Sequence, residues 1–122
     1  MGLDQYWELE PTPEQKTKAL LEGHVATTEE IGYHRKWHDL NEFMYNFTIT
    51  DSALDGYIEV SITQDILDEV EIWCRAYHKS KDYDQYDEYV YPTPSTYLKE
   101  DIIPKIQKYL NEGREVTYSA DW

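Results

Sequence analysis

Cysteine is almost missing from this chain: of 122 residues only Cys74 carries a thiol, so no internal disulfide can close and a reducing, cytoplasmic setting is expected. Glycine is scarce as well, with 5 residues, none of them grouped into a loop that could cradle a phosphate. No run of about 18 apolar residues occurs, which excludes a membrane-spanning helix. The opening Met1-Gly2-Leu3-Asp4-Gln5-Tyr6-Trp7-Glu8 offers neither the basic region nor the apolar stretch of a signal peptide, and its acidic character argues against myristoylation at Gly2. Basic residues are few: 11 Lys and Arg stand against 25 Asp and Glu, a formal charge of -14. A field of that sign repels phosphate backbones and anionic lipid, so direct nucleic-acid or membrane binding is not expected.

What the chain does have is rings of an unusual kind, with 12 Tyr and 4 Trp against 2 Phe. Tyr and Trp bury a large ring while keeping a polar tip that wants a partner or water, and they are favoured at half-exposed surfaces and interfaces. With 40% apolar residues the chain can build a core, and its length fits one domain over residues 1–122.

Periodicity outlines the elements. Residues 4–9 alternate and predict a strand, after which Pro11 and Pro13 break the pattern; residues 14–22 favour a helix that Gly23 would end. Trp37, Leu40, Met44 and Phe47 recur at three and four, predicting a helix over 33–47. Residues 48–50 are all β-branched and 51–56 read as a turn, before a strand at 57–60. Ser61 and Gln64 have capping-box spacing ahead of a helix over 62–79, whose Ile66, Leu67, Val70, Trp73, Cys74 and Tyr77 form a buried stripe. Residues 81–96 read as irregular, with a strand at 88–91. A last helix from Tyr97 carries Ile102, Ile106, Tyr109 and Leu110, its regular part beginning close to Pro104, and residues 115–118 end the chain as a strand. The expected fold is α+β, with three or four helices packed on a small, mainly antiparallel sheet.

Taken in order, Met1-Gly2-Leu3-Asp4, Ile31-Gly32-Tyr33-His34-Arg35-Lys36, Tyr57 to Ser61 and Thr117-Tyr118-Ser119-Ala120-Asp121-Trp122 resemble a family of small phage and bacterial proteins of unassigned activity. Its members begin Met-Gly-Leu-Asp-Met-Tyr, carry a Gly-Tyr-Trp-Arg-Lys segment and end in a Tyr-x-Ser-x-Trp-like strand. This chain departs from that pattern at His34, where the family usually has Trp, and at Asn41 and Phe43, where it usually has His and Trp. The resemblance implies a phage context, a host cytoplasm, and a role in modifying or blocking host machinery.

Candidate chemistry falls into three groups. The segment Asp82, Tyr83, Asp84, Tyr86, Asp87, Glu88 and Tyr89 mixes phenols with carboxylates, which can imitate a phosphate backbone and occupy a basic groove on another protein; its plain reading is a solvated loop. Residues 31–48 balance Asp39 and Glu42 with Arg35 and Lys36, and there Tyr33, Arg35, Lys36 and His38 could hold a small phosphate- or carboxylate-bearing ligand. The plain reading of that group is an arginine scaffold among the many carboxylates. His34 and His38, four apart in the predicted helix, have the spacing of two metal ligands, and a third would have to come from elsewhere, His24 or Glu30; the plain reading is partly exposed histidines in an acidic field, and no metal or cofactor is assigned. Cys74 lies on an apolar stripe, and no nucleophile elbow appears, so no catalytic residue stands out. The leading expectation is a non-enzymatic acidic accessory protein that binds a basic surface of a host protein, one form of which is an inhibitor of a nucleic-acid-handling or defence system. The alternative is a pocket around Arg35 that binds or processes a small anion.

Overall fold

The computed structural model describes residues 2–48, 56–80 and 94–122, and among them four antiparallel strands form one sheet in the order β2-β1-β4-β3. The strands are β1 (Asp4–Leu9), β2 (Glu29–Arg35), β3 (Tyr57–Ser61) and β4 (Val116–Asp121). The helices are α1 (Pro13–Leu21), α2 (His38–Tyr45), α3 (Gln64–Ser80) and a last helix built of α4 (Pro94–Tyr97), a wide π turn (Leu98–Ile102) and α5 (Ile103–Asn111). This is the expected α+β domain.

β1 alternates as the sequence predicts: Gln5, Trp7 and Leu9 are buried, and Asp4, Tyr6 and Glu8 face outward. The inner face continues with Val116, Tyr118 and Ala120 on β4 and Ile58 and Val60 on β3, and it packs against Leu67, Val70 and Cys74 of α3 and Leu98, Ile102 and Ile106 of the last helix. Trp7 leans on Tyr118 with ring centroids 4.9 Å apart.

β2 is where the expectation fails. The helix expected over 33–47 begins only at His38, and Ile31 to Arg35 are strand. A bulge opposite Trp7 and Glu8 inserts Ile31 as an extra residue, so Ile31 and Gly32 are both buried in succession and the period-two signal is lost. His34 and His38 therefore do not share a helix face, and among the described residues no cluster of ligands could hold a metal.

Two further local corrections follow the same logic. Ser61 ends β3 rather than capping α3; the hydroxyl that accepts from the first turn is Thr63, from the Ile66 amide at 3.3 Å. The capping box lies instead at Thr12 and Gln15, which exchange two hydrogen bonds of 3.1 and 2.9 Å at the start of α1. Pro104 falls in the first turn of α5, directly after the π turn, in which the Ile103 amide reaches back five residues to the Leu98 carbonyl. The wide turn thus lies just ahead of a residue that has no amide to offer.

The connection from β2 to α2 is held from below. The buried Gln5 side chain grips the Trp37 backbone at both ends, its Oε1 accepting from the Trp37 amide and its Nε2 donating to the Trp37 carbonyl, each at 2.9 Å. Nε2 also lies 3.0 Å from the Tyr118 hydroxyl, which donates to Asn41 Oδ1 at 2.9 Å. Lys36, at φ 59°, makes the left-handed turn there and donates its amide to the Leu3 carbonyl.

Candidate functional site

The outward face of the sheet brings together residues that lie far apart in the chain. Register places them in three cross-strand rows: Arg35, Asp4, Asp121 and Tyr57; then Tyr33, Tyr6, Ser119 and Glu59; then Glu30, Glu8, Thr117 and Ser61. Five of these are carboxylates, three are tyrosines, and Arg35 is the one cation. With strands ~4.8 Å apart and same-face residues ~7 Å apart, the rows span about 14 by 14 Å. The core helices pack on the opposite face, and Tyr33 and Tyr57 each keep 38% of their surface open to solvent.

Three of the five carboxylates accept hydrogen bonds from their neighbours. Tyr33 donates its hydroxyl to Asp4, Tyr57 donates to Glu59 at 3.2 Å, and Glu8 accepts from Thr28 at 2.6 Å and from Ser119 at 3.3 Å. Tyr6 and Tyr33 tilt against each other at 5.2 Å. The phenols register the crowding of negative charge. Partial desolvation, and then Asp4, Glu30, Asp121 and Glu8, hold Tyr6 above its ordinary pKa. Tyr33 is raised chiefly by its hydrogen bond to Asp4, and Tyr57 by desolvation followed by Glu59.

The residues proposed around Arg35 are only partly gathered here. Tyr33 and Arg35 sit on the sheet face, with Asp4 opposite Arg35; Lys36 occupies the turn and His38 opens α2, both exposed. A carboxylate thus stands in the middle of the candidate anion site. The acidic tyrosine segment from Asp82 to Tyr89, with its expected strand, lies outside the described residues.

His34 has another role. Its Nε2 accepts from the Trp7 indole at 3.0 Å, and its ring meets Trp37 and Tyr97 edge-on. Burial lowers its pKa to about 3, so the ring is a neutral acceptor inside the core. Cys74 is fully buried, as its apolar stripe predicts.

No family model, curated protein or solved structure matches this chain. The chemistry of the face carries the reading instead: a half-exposed array of acceptors and phenols whose charge attracts cations and repels phosphates. Sequence reasoning missed Asp4, Tyr6, Glu8, Tyr57, Glu59 and Asp121 as a site. Their signal was present in the alternation of β1 and β3, where acids and tyrosines take the positions opposite Trp7, Ile58 and Val60. What joined the strands into one surface was register, which the sequence does not display.

Among the described residues no helix is long and apolar enough to cross a membrane.

Proposed function

We propose that this protein is a non-enzymatic acidic binding module, and that the outward face of its sheet docks onto a basic surface of another protein. The observation that supports this is the composition of that face, with five carboxylates around three phenols and Arg35 as the only cation. Carboxylates meet lysine and arginine side chains, and the tyrosines add contact area with little conformational freedom to lose. A stable interface buries about 800 Å² on each partner, so the lattice is the centre of a footprint that extends over its flanks at Glu10 and Thr28. The resemblance to small phage and bacterial proteins supports an accessory role in which the partner is a host protein, with blocking of a nucleic-acid-handling or defence protein as the outcome.

The test is a titration of the isotope-labelled protein with an arginine- and lysine-rich peptide. Chemical-shift changes should centre on Tyr6, Tyr33 and Tyr57, and affinity should fall at least ~10-fold between low salt and 0.5 M salt. Reversing two charges on the face, Glu59→Lys with Asp121→Lys, should weaken binding much more than reversing Glu69 and Glu112, which are exposed elsewhere. Equal effects of the two pairs would reduce the interaction to net charge and remove the face from it.

A further inference from the structure

β2 is an edge strand: the sheet runs β2-β1-β4-β3, and among the described residues only β1 pairs with it. The Lys36 amide donates to the Leu3 carbonyl, which makes Lys36 and Leu3 a hydrogen-bonded pair of the antiparallel ladder. Such pairs alternate with wide ones, so the N–H and C=O groups of Arg35 and Tyr33 point away from β1 into the open edge. No described residue takes them up. Charge along this edge is sorted by sign: Glu29 and Glu30 open the strand, Arg35 ends it and Lys36 follows. All four are exposed, and among the described residues none has a side-chain hydrogen bond or an ion pair.

The bulge gives that order a symmetry. On the outward face Arg35, Tyr33 and Glu30 stand opposite Asp4, Tyr6 and Glu8, every second residue of β1, because the extra residue Ile31 is turned inward. Tyr33 is thus the midpoint, with Arg35 on one side and Glu30 at the same distance on the other. Lys36 and Glu29 lie one residue further out, opposite Leu3 and Leu9. A strand related to β2 by a two-fold axis at Tyr33 runs antiparallel to it and sets Arg35 against Glu30 and Lys36 against Glu29, twice over. The two Tyr33 residues then exchange their free backbone groups. We infer that β2 pairs with β2 of a second copy of this chain, joining two four-stranded sheets edge to edge. The charge of -14 on each copy opposes this at long range, and the local match of signs across the axis favours it at contact. The pairing uses the edge of the sheet, and it stands whether or not the face docks a protein.

The test is sedimentation velocity of the full chain from about 10 µM to about 1 mM in about 0.15 M salt, which screens repulsion between whole molecules more than contacts across the edge. A dimer should form within this range, and the Tyr33 and Arg35 amides should gain protection from hydrogen exchange as concentration rises. Glu30→Arg alone and Arg35→Glu alone each set like charges across the axis, and each should weaken dimerisation at least ~10-fold. Mixed in equal amounts, the two variants should pair with each other, since each supplies the sign that the other lacks. The double variant Glu30→Arg with Arg35→Glu should self-associate again. Restoration on mixing separates a lost charge match from a lost fold. A monomer at every concentration would overturn the inference and leave the edge to a strand of a different protein. So would dimers that survive both single changes, or single variants that stay monomeric when mixed.

Discussion

At the scale of single residues, buried polar groups do the work that the sequence could not assign. Gln5 is a long polar side chain on a strand, and its alternation marks it as inward without saying what it meets; in the fold its amide mimics a strand partner for the Trp37 backbone. His34 is the other case. A neutral histidine whose pKa is pushed down to about 3 by burial binds no proton in the folded state between that value and its ordinary ~6.5, whereas the unfolded chain does. The stability it allows is complete above pH ~6.5 and is lost as pH falls towards 3, at up to ~1.4 kcal/mol per pH unit. Replacing it by glutamine, which keeps an acceptor near the Trp7 indole, should flatten the acid limb. Urea denaturation from pH 7 to pH 4 measures this, and parallel curves for the two proteins would mean that His34 is protonated in the fold.

At the scale of elements, β2 and the last helix are locked by a close approach. A methyl group on Gly32 would stand 2.4 Å from Ile102 Cδ1 and 2.6 Å from Cγ1, and Ile102 is fully buried at the end of the π turn. Gly32→Ala should therefore cost ~1–3 kcal/mol, by overpacking. In an Ile102→Ala background the same change should cost less, because the atoms it strikes are gone, and a double-mutant cycle reads that coupling directly. Additive effects would place the strain elsewhere. The pair also explains which elements were legible. β1, β3, α1 and α3 have one regular period and short-range punctuation, and they lie within a few residues of where alternation and helical spacing put them. β2 is not legible, its end at Tyr33 to Arg35 falling within the expected helix, because its bulge breaks the alternation and because Gly32 serves a contact 70 residues away. The candidate site suffered in the same way: its members belong to four strands, and cross-strand neighbours have no spacing in a sequence.

At the scale of the whole molecule, the charge of -14 sets folding against docking. Five carboxylates on one sheet face repel one another across strands ~4.8 Å apart, which opposes the compact state; the same crowding makes the face attractive to a cationic partner. The ion pairs Arg75–Glu71 and Lys105–Asp101 are exposed helix pairs and offset this only slightly. Screening should therefore stabilise the free protein. Raising salt from about 10 mM to about 300 mM shortens the screening length from ~30 Å to ~6 Å, and the melting temperature should rise by several degrees, each kcal/mol gained being worth ~4 °C in a domain of this size. The double change Glu59→Lys with Asp121→Lys should raise the melting temperature at low salt and flatten its salt dependence, while weakening the complex with a basic peptide. Stability and binding would then move in opposite directions on one pair of substitutions, as expected of a surface whose repulsion is relieved by its partner. A melting temperature that falls with salt would instead mean that attractive pairs dominate, and the lattice would lose its claim to be a strained, partner-seeking face.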